Sequence, residues 1–253
     1  MIGLISLLKE IQGKPKAIFM AGPAGSGKSF ISKKLIPSDF TTINVDDTYE
    51  ELLKSSGIGM KLANMSPDEL KKSGELMGQA RKATDAKLQD ATKDAKNLLI
   101  DSVGGSSKML LKKKQELESL GYDTAMIMTY VSPITSLERN KQRDRSLLPS
   151  IVIRSWRDVN TNIDAYRQAF GNNFTLVNLD PEDANKDFDE NFIYKNYIEP
   201  LGQVGKEKSP EEKAKSRAES EKIYSDIKQT LKSQPKFDTI EQAKTKITNF
   251  INK

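Results

Sequence analysis

The sequence predicts an α/β fold: a mostly parallel five-stranded sheet with helices on both faces, followed by a C-terminal helical appendage. Three observations predict it. Short apolar runs alternate with helical patterns along the first two-thirds of the chain, a glycine-rich turn joins the first apolar run to the first helical pattern, and beyond about residue 205 the chain becomes charged and helical.

The elements follow in order. Leu4, Leu7, Leu8 and Ile11 are spaced as one face of an amphipathic helix, and no basic leader or small-residue cleavage site accompanies them, so a cytoplasmic location is expected. Lys16–Ala21 is an apolar run ending at glycine, as a strand buried on both faces should read. Thr41–Val45, Asn97–Asp101, Thr124–Val131 and Phe174–Leu179 repeat that pattern. Between the second and third runs lies an insert, residues 50–96. Within it Ser66-Pro67-Asp68-Glu69 carries a Ser cap, Pro at the first helical position and Glu at the third, with Gly74 and Gly78 as weak points further on. The stretch 66–97 reads either as an acceptor-binding insert or as a solvated helical hairpin. Residues 1–204 are expected to form one domain, with a lid at about 139–150. Residues 205–253 supply a linker and two helices, one opened by Ser209-Pro210-Glu211-Glu212 and one capped near Thr239. Those helices either pack on the body or dock a protein partner.

Composition narrows the chemistry. The chain of 253 residues has neither Cys nor His, which excludes disulfides, thiol nucleophiles, His-based triads and Cys or His metal sites. Its mean hydropathy of −0.58 and the lack of a long apolar run argue against a membrane span. Of the net charge of +5, +4 resides in residues 205–253, so the body is nearly neutral and gives little support for a nucleic-acid groove. The remaining acids, bases and hydroxyls suit phosphoryl transfer with magnesium.

Gly22-Pro23-Ala24-Gly25-Ser26-Gly27-Lys28-Ser29 fits the phosphate-loop pattern G-x-x-x-x-G-K-[ST] at every fixed position, between a strand and a helix as that pattern requires. Gly22, Gly25, Ser26 and Gly27 let backbone N–H groups turn toward phosphate, Lys28 reaches the outer phosphates, and the Ser29 hydroxyl holds magnesium. ATP and Mg2+ are the expected ligands. Asp46, in Asn44-Val45-Asp46-Asp47, is expected at the end of the second strand beside that loop, where a carboxylate can take the proton of an attacking hydroxyl. Asp47 is the expected cap of a helix starting near Thr48. Asp101 closes the third strand in the Walker B pattern, where its carboxylate orients magnesium directly or through water. Arg139 and Arg143, four apart after the fourth strand, are expected on a lid over the phosphates, while Arg145 reads as solvated. Trp156 reads as a packing anchor in preference to a base-stacking platform.

Taken together, Gly22–Ser29, Ile43-Asn44-x-Asp46-Asp47, Asp101 and Thr135-x-Leu137-x-Arg139-Asn140-x-x-Arg143 resemble the kinase domain of phage-type polynucleotide 5′-kinases, and more loosely the zeta-toxin kinases. The resemblance covers about residues 15–180. It implies an adenylate-kinase-like P-loop NTPase fold in which the ATP γ-phosphate moves to a hydroxyl of a nucleic-acid end, nucleotide or sugar-nucleotide. It further implies Asp46 as base, Lys28 and Ser29 on phosphates and magnesium, Arg143 as the lid arginine and Arg139 as a second. One position departs: where both families usually carry an Arg that grips the acceptor's phosphate, this chain has Tyr49. The competing expectation is a P-loop ATP-binding module that docks a larger assembly through its helical tail.

Overall fold

The computed structural model describes residues 13–59, 65–143, 146–181, 210–232 and 235–253. The expected helix at Leu4–Ile11, the linker up to Ser209 and Arg145 lie outside the described residues.

Five strands form one parallel sheet: β1 (Lys16–Ala21), β2 (Thr41–Asn44), β3 (Leu98–Asp101), β4 (Asp123–Tyr130) and β5 (Phe174–Asn178). Their order is β2-β3-β1-β4-β5. Every residue of β1 is buried, as a central strand covered on both faces must be, which is why it reads as an unbroken apolar run. The chain leaves β1 toward one edge of the sheet and later crosses to the other. Reversals of that kind open a crevice at the carboxyl ends of the strands, and the turn after β1 sits there.

The helices among the described residues are α1 (Lys28–Leu35), α2 (Val45–Ser56), α3 (Pro67–Lys93), α4 (Ser107–Ser119), α5 (Pro133–Lys141), α6 (Pro149–Asn160), α7 (Ile163–Phe170), α8 (Pro210–Lys232) and α9 (Ile240–Ile251). None is long and apolar enough to cross a membrane. Two sequence expectations are corrected here. The second strand stops at Asn44, because Asn44, not Asp47, caps the next helix: its side chain accepts the Asp46 N–H at 2.8 Å. Asp46 therefore occupies the first turn of α2, not the end of the strand. The stretch 66–97 is not a hairpin either. It holds one 27-residue helix, opened by the anticipated Ser66–Glu69 capping box and continuous through Gly74 and Gly78. Both glycines lie on its exposed side, while Ser73, Leu76, Ala80, Thr84, Leu88 and Ala91 form the buried stripe that holds the helix against the protein.

One core cluster gathers Phe19, Met126, Met128, Trp156, Tyr166 and Phe170. Trp156 is fully buried with its indole N–H donated to the Val131 carbonyl at 2.7 Å, so it packs as expected. A second cluster on the other side of the sheet contains Ile18, Met20, Ile31 and Ile127. The C-terminal helices belong to both: Ile223 and Ile227 of α8 enter the first, and Ala243, Ile247 and Phe250 of α9 enter the second. Asp238 fastens the approach to α9, its N–H donating to the Leu176 carbonyl at 2.7 Å and its carboxylate held by Lys246 at 2.9 Å. Of the two expectations for the tail, packing on the body is the one realised by these residues.

Candidate active site

The turn between β1 and α1 needs glycine at two places. Gly25 and Gly27 have φ of +74° and +86°, a region that side chains rarely adopt. Both positions are also crowded: a Cβ on Gly25 would lie 2.9 Å from the Ser136 carbonyl oxygen, and one on Gly27 would lie 2.8 Å from Leu179 Cδ1. Neighbouring elements brace this turn. Ser26 Oγ and Thr129 Oγ1 share a hydrogen bond at 2.7 Å, the Ser136 hydroxyl donates to the Ala24 carbonyl, and Gly22 N–H donates to the Val103 carbonyl at 3.0 Å. The first turn of α1 carries no acid and Gly27 provides no side-chain cap; Phe30 and Ile31 N–H donate to the Gly27 carbonyl at 3.1 Å, and the N–H groups of Lys28 and Ser29 sit where an anionic ligand can meet them.

Lys28 opens α1 with its ammonium folded back on the loop, donating to the Gly22 carbonyl at 2.7 Å. Burial lowers its pKa, and the fields of Asp101 and Asp46 oppose that shift while Arg143 reinforces it. Those three side chains, from the end of β3, the first turn of α2 and the region just beyond α5, thus converge electrostatically on one ammonium. Asp101 Oδ2 accepts from the Asn44 amide at 3.1 Å, whereas Oδ1 is buried without a hydrogen-bond partner. Burial pushes this carboxyl up to about 6. Asp47 is raised as well, by burial first and then by Glu50 and Asp46.

These residues line a cleft of ≈ 740 Å³, bounded by Pro23–Ser29, by Asp46, Asp47 and Glu50 of α2, by Asp101–Val103, and by Arg139, Arg143, Leu147, Ile151 and Ser155. All the site residues expected from the sequence lie in it or in the loop beneath it. The two arginines differ in use. Arg143 is exposed at the cleft rim. Arg139 donates from one nitrogen to the Gly25 carbonyl at 3.3 Å and from the other to the Leu179 carbonyl at 2.9 Å, tying the phosphate loop to the chain just after β5. Tyr49 points the other way, into a small core with Leu53, Ile58, Leu76 and Ala80, its hydroxyl paired with Ser73 of α3. Asn44, Thr129, Ser136 and Leu179 take part in the site through contacts that only the structure shows. For Asn44 a signal was present, since Asn two residues before Asp is a capping arrangement; the other three have none in the local sequence.

The residues present fit a magnesium ion: Asp101 offers a buried, unpaired carboxylate oxygen and Ser29 lines the same cleft. Among the described residues no group of three or more Asp or Glu is placed to hold a metal alone. Magnesium here would therefore share its coordination with nucleotide phosphates and water.

The zeta toxin family model matches residues 6–192. Two solved complexes of AvrRxo1-ORF1 with AvrRxo1-ORF2 share the fold. The one with sulphate ions aligns at TM-score 0.55 and 16% identity over 87% of this chain and 82% of that one. The one with ATP aligns at TM-score 0.54 and 15% identity over the same shares. The PezAT toxin–antitoxin system of Streptococcus pneumoniae aligns at TM-score 0.45 and 16% identity over 85% of this chain and 87% of that one. No curated protein matches the sequence significantly.

Proposed function

The chain belongs to the zeta toxin family, the second of the two resemblances in its sequence, and from that premise we propose that it is an ATP-dependent kinase that phosphorylates a hydroxyl group. The observation that carries the proposal is the convergence of Asp46, Asp101 and Arg143 on Lys28 across one cleft, above a loop built for phosphate. A binding loop alone needs no carboxylate facing it from α2; a transferase needs a proton acceptor there.

In this reading the triphosphate settles against the backbone N–H groups of Gly25, Gly27, Lys28 and Ser29, and Lys28 exchanges the Gly22 carbonyl for phosphate oxygens. Ser29 and Asp101 would hold magnesium, which supplies neutralising charge to the γ-phosphate. The acceptor oxygen bonds to the γ-phosphorus as the bond to the β-phosphate oxygen breaks, the proton passes to Asp46, and ADP leaves. Arg143 at the rim stabilises charge on the group in flight and, with the rest of the lid, excludes water that would otherwise take the phosphate. The acceptor class is a hydroxyl of a nucleic-acid end, nucleotide or sugar-nucleotide. The alternative, a nucleotide-binding module docked through residues 209–253, keeps little support, because Ile223, Ile227, Ile247 and Phe250 are committed to this chain's own core.

The test is transfer from γ-labelled ATP to a panel of 5′-hydroxyl DNA and RNA, nucleosides and sugar-nucleotides, with Asp46→Asn alongside. The variant should lose about 10²-fold or more in transfer while holding ATP within a few-fold. An equal loss of ATP affinity would remove Asp46 from the role of base.

A further inference from the structure

Asn140 stands in the spacing Arg139-Asn140-x-x-Arg143 but is not among the residues lining the cleft. It is the penultimate residue of α5 and only 2% exposed. Its side chain makes two hydrogen bonds to a single residue seven positions on. The amide N–H donates to the Leu147 carbonyl at 2.9 Å, and the amide oxygen accepts the Leu147 N–H at 3.0 Å. A carboxamide carries a donor and an acceptor side by side, so it pairs with one residue's N–H and C=O as a neighbouring strand would. The backbone carbonyl of Asn140 accepts the Arg143 N–H at 3.3 Å.

Both ends of this arrangement are anchored. On the near side Ser136 and Arg139 tie α5 to the phosphate loop at the Ala24 and Gly25 carbonyls. On the far side Leu147 packs against the core, and the next residue, Leu148, accepts the Ile151 and Val152 N–H groups that open α6. Val152, Ile153 and Trp156 hold that helix in the core, fully buried. Between the anchors stands Arg143, exposed at the cleft rim, with its field on Lys28. A long exposed side chain costs entropy to hold, so its placement depends on the backbone that carries it.

We infer that Asn140 is the positioning residue for Arg143: its two-point bond to Leu147 fixes the backbone from which the guanidinium reaches the transferring phosphate. The inference rests on the kinase reading and deepens it. Stabilisation of a group in flight works through charges already in place, and a displacement of about 1 Å can cost about 10²-fold in rate. Leu147 itself lines the cleft, so the bond sets the apolar rim together with the arginine. The residue type matters. Alanine offers Leu147 neither bond, and an ionised aspartate, which only accepts, would face the Leu147 carbonyl with a second acceptor. The hydrogen bonds of Asn140 go to Leu147 and Arg143, whereas those of Arg139 go to Gly25 and Leu179. Loss of the first set should therefore spare nucleotide affinity, and loss of the second should not.

The test uses the full chain with γ-labelled ATP and magnesium over 5′-hydroxyl DNA and RNA, nucleosides and sugar-nucleotides, read on the acceptor that the wild type labels fastest. Wild type, Asn140→Ala, Arg143→Ala and the double variant form a double-mutant cycle. Asn140→Ala should lower kcat about tenfold or more, with ATP affinity held within a few-fold. Arg143→Ala should lower kcat at least as far. Adding Asn140→Ala to it should cost less than about threefold more, because a positioning residue then has nothing left to place. Thermal melts identify folded variants, and Asn140→Asp, which keeps the bond from the Leu147 N–H and lacks the donor, takes the place of the alanine variant in the cycle should that one not fold. Losses in kcat that multiply in the double variant, a matching fall in ATP affinity, or an Asn140 variant as fast as wild type overturns the inference and leaves the kinase reading standing. A wild type that labels no acceptor overturns the kinase reading and the inference with it.

Discussion

Asn44 donates its amide to Asp101 Oδ2 at 3.1 Å while its own carbonyl oxygen accepts the Asp46 N–H at 2.8 Å. The two residues face each other in the parallel β2–β3 ladder, Asn44 opposite Asp101. One side chain thus positions both acids of the site, the metal-side carboxylate directly and the proposed base through the cap of its helix.

Asn44→Ala removes the cap and frees Asp101 together. The expected loss of stability is about 1–2 kcal/mol, with kcat falling about tenfold or more and ATP affinity little changed. Asn44→Asp keeps a capping oxygen but sets a carboxylate against Asp101, so it should recover stability without recovering kcat. Denaturant melts beside steady-state kinetics separate the two effects.

Asp101 carries a pH signature. Its folded-state pKa of about 6 exceeds the ordinary 3.8, so the folded protein binds this proton more tightly than the unfolded chain does. Stability from this group is therefore present below about pH 4 and is lost as pH rises toward and through 6. In nucleotide-free, magnesium-free buffer the wild type should lose up to about 3 kcal/mol relative to Asp101→Asn between pH 4 and 7. Urea titrations of both proteins at several pH values measure it, and parallel curves would contradict it.

Arg139 spans two carbonyls, on Gly25 and Leu179, and so acts on the shape of the phosphate loop. Arg139→Ala should raise the KM for ATP about 10- to 100-fold with a smaller change in kcat, in line with loss of charge-assisted hydrogen bonds. Arg139→Lys should restore little, because a single ammonium does not reproduce the fork. A loss confined to kcat would instead place Arg139 on the transferring phosphate.

Phe250 of α9 is buried in the cluster that holds Ile18 and Met20 of β1 and β-sheet neighbours. Phe250→Ala should cost about 3–4 kcal/mol, read as a lowered melting temperature. Removing residues 235–253 should expose that face of the sheet and lower solubility, with ATP binding lost along with the fold.

The sequence by itself determined the strands, the phosphate loop and the acids and arginines of the cleft. Parallel strands buried on both faces must be short apolar runs, and a loop that wraps phosphate needs glycine and lysine at set spacings, so both leave a mark within a few residues. Tertiary structure alone decided which way those side chains point and what they touch. Nothing near Tyr49 in the chain says that Ser73 will pair with it, nothing near Arg139 says that its fork will close on Gly25 and Leu179, and the charged tail does not announce that Phe250 will cover β1. Local pattern sets what a segment can be; contacts between residues far apart in the chain, which only packing brings together, set what each residue is used for.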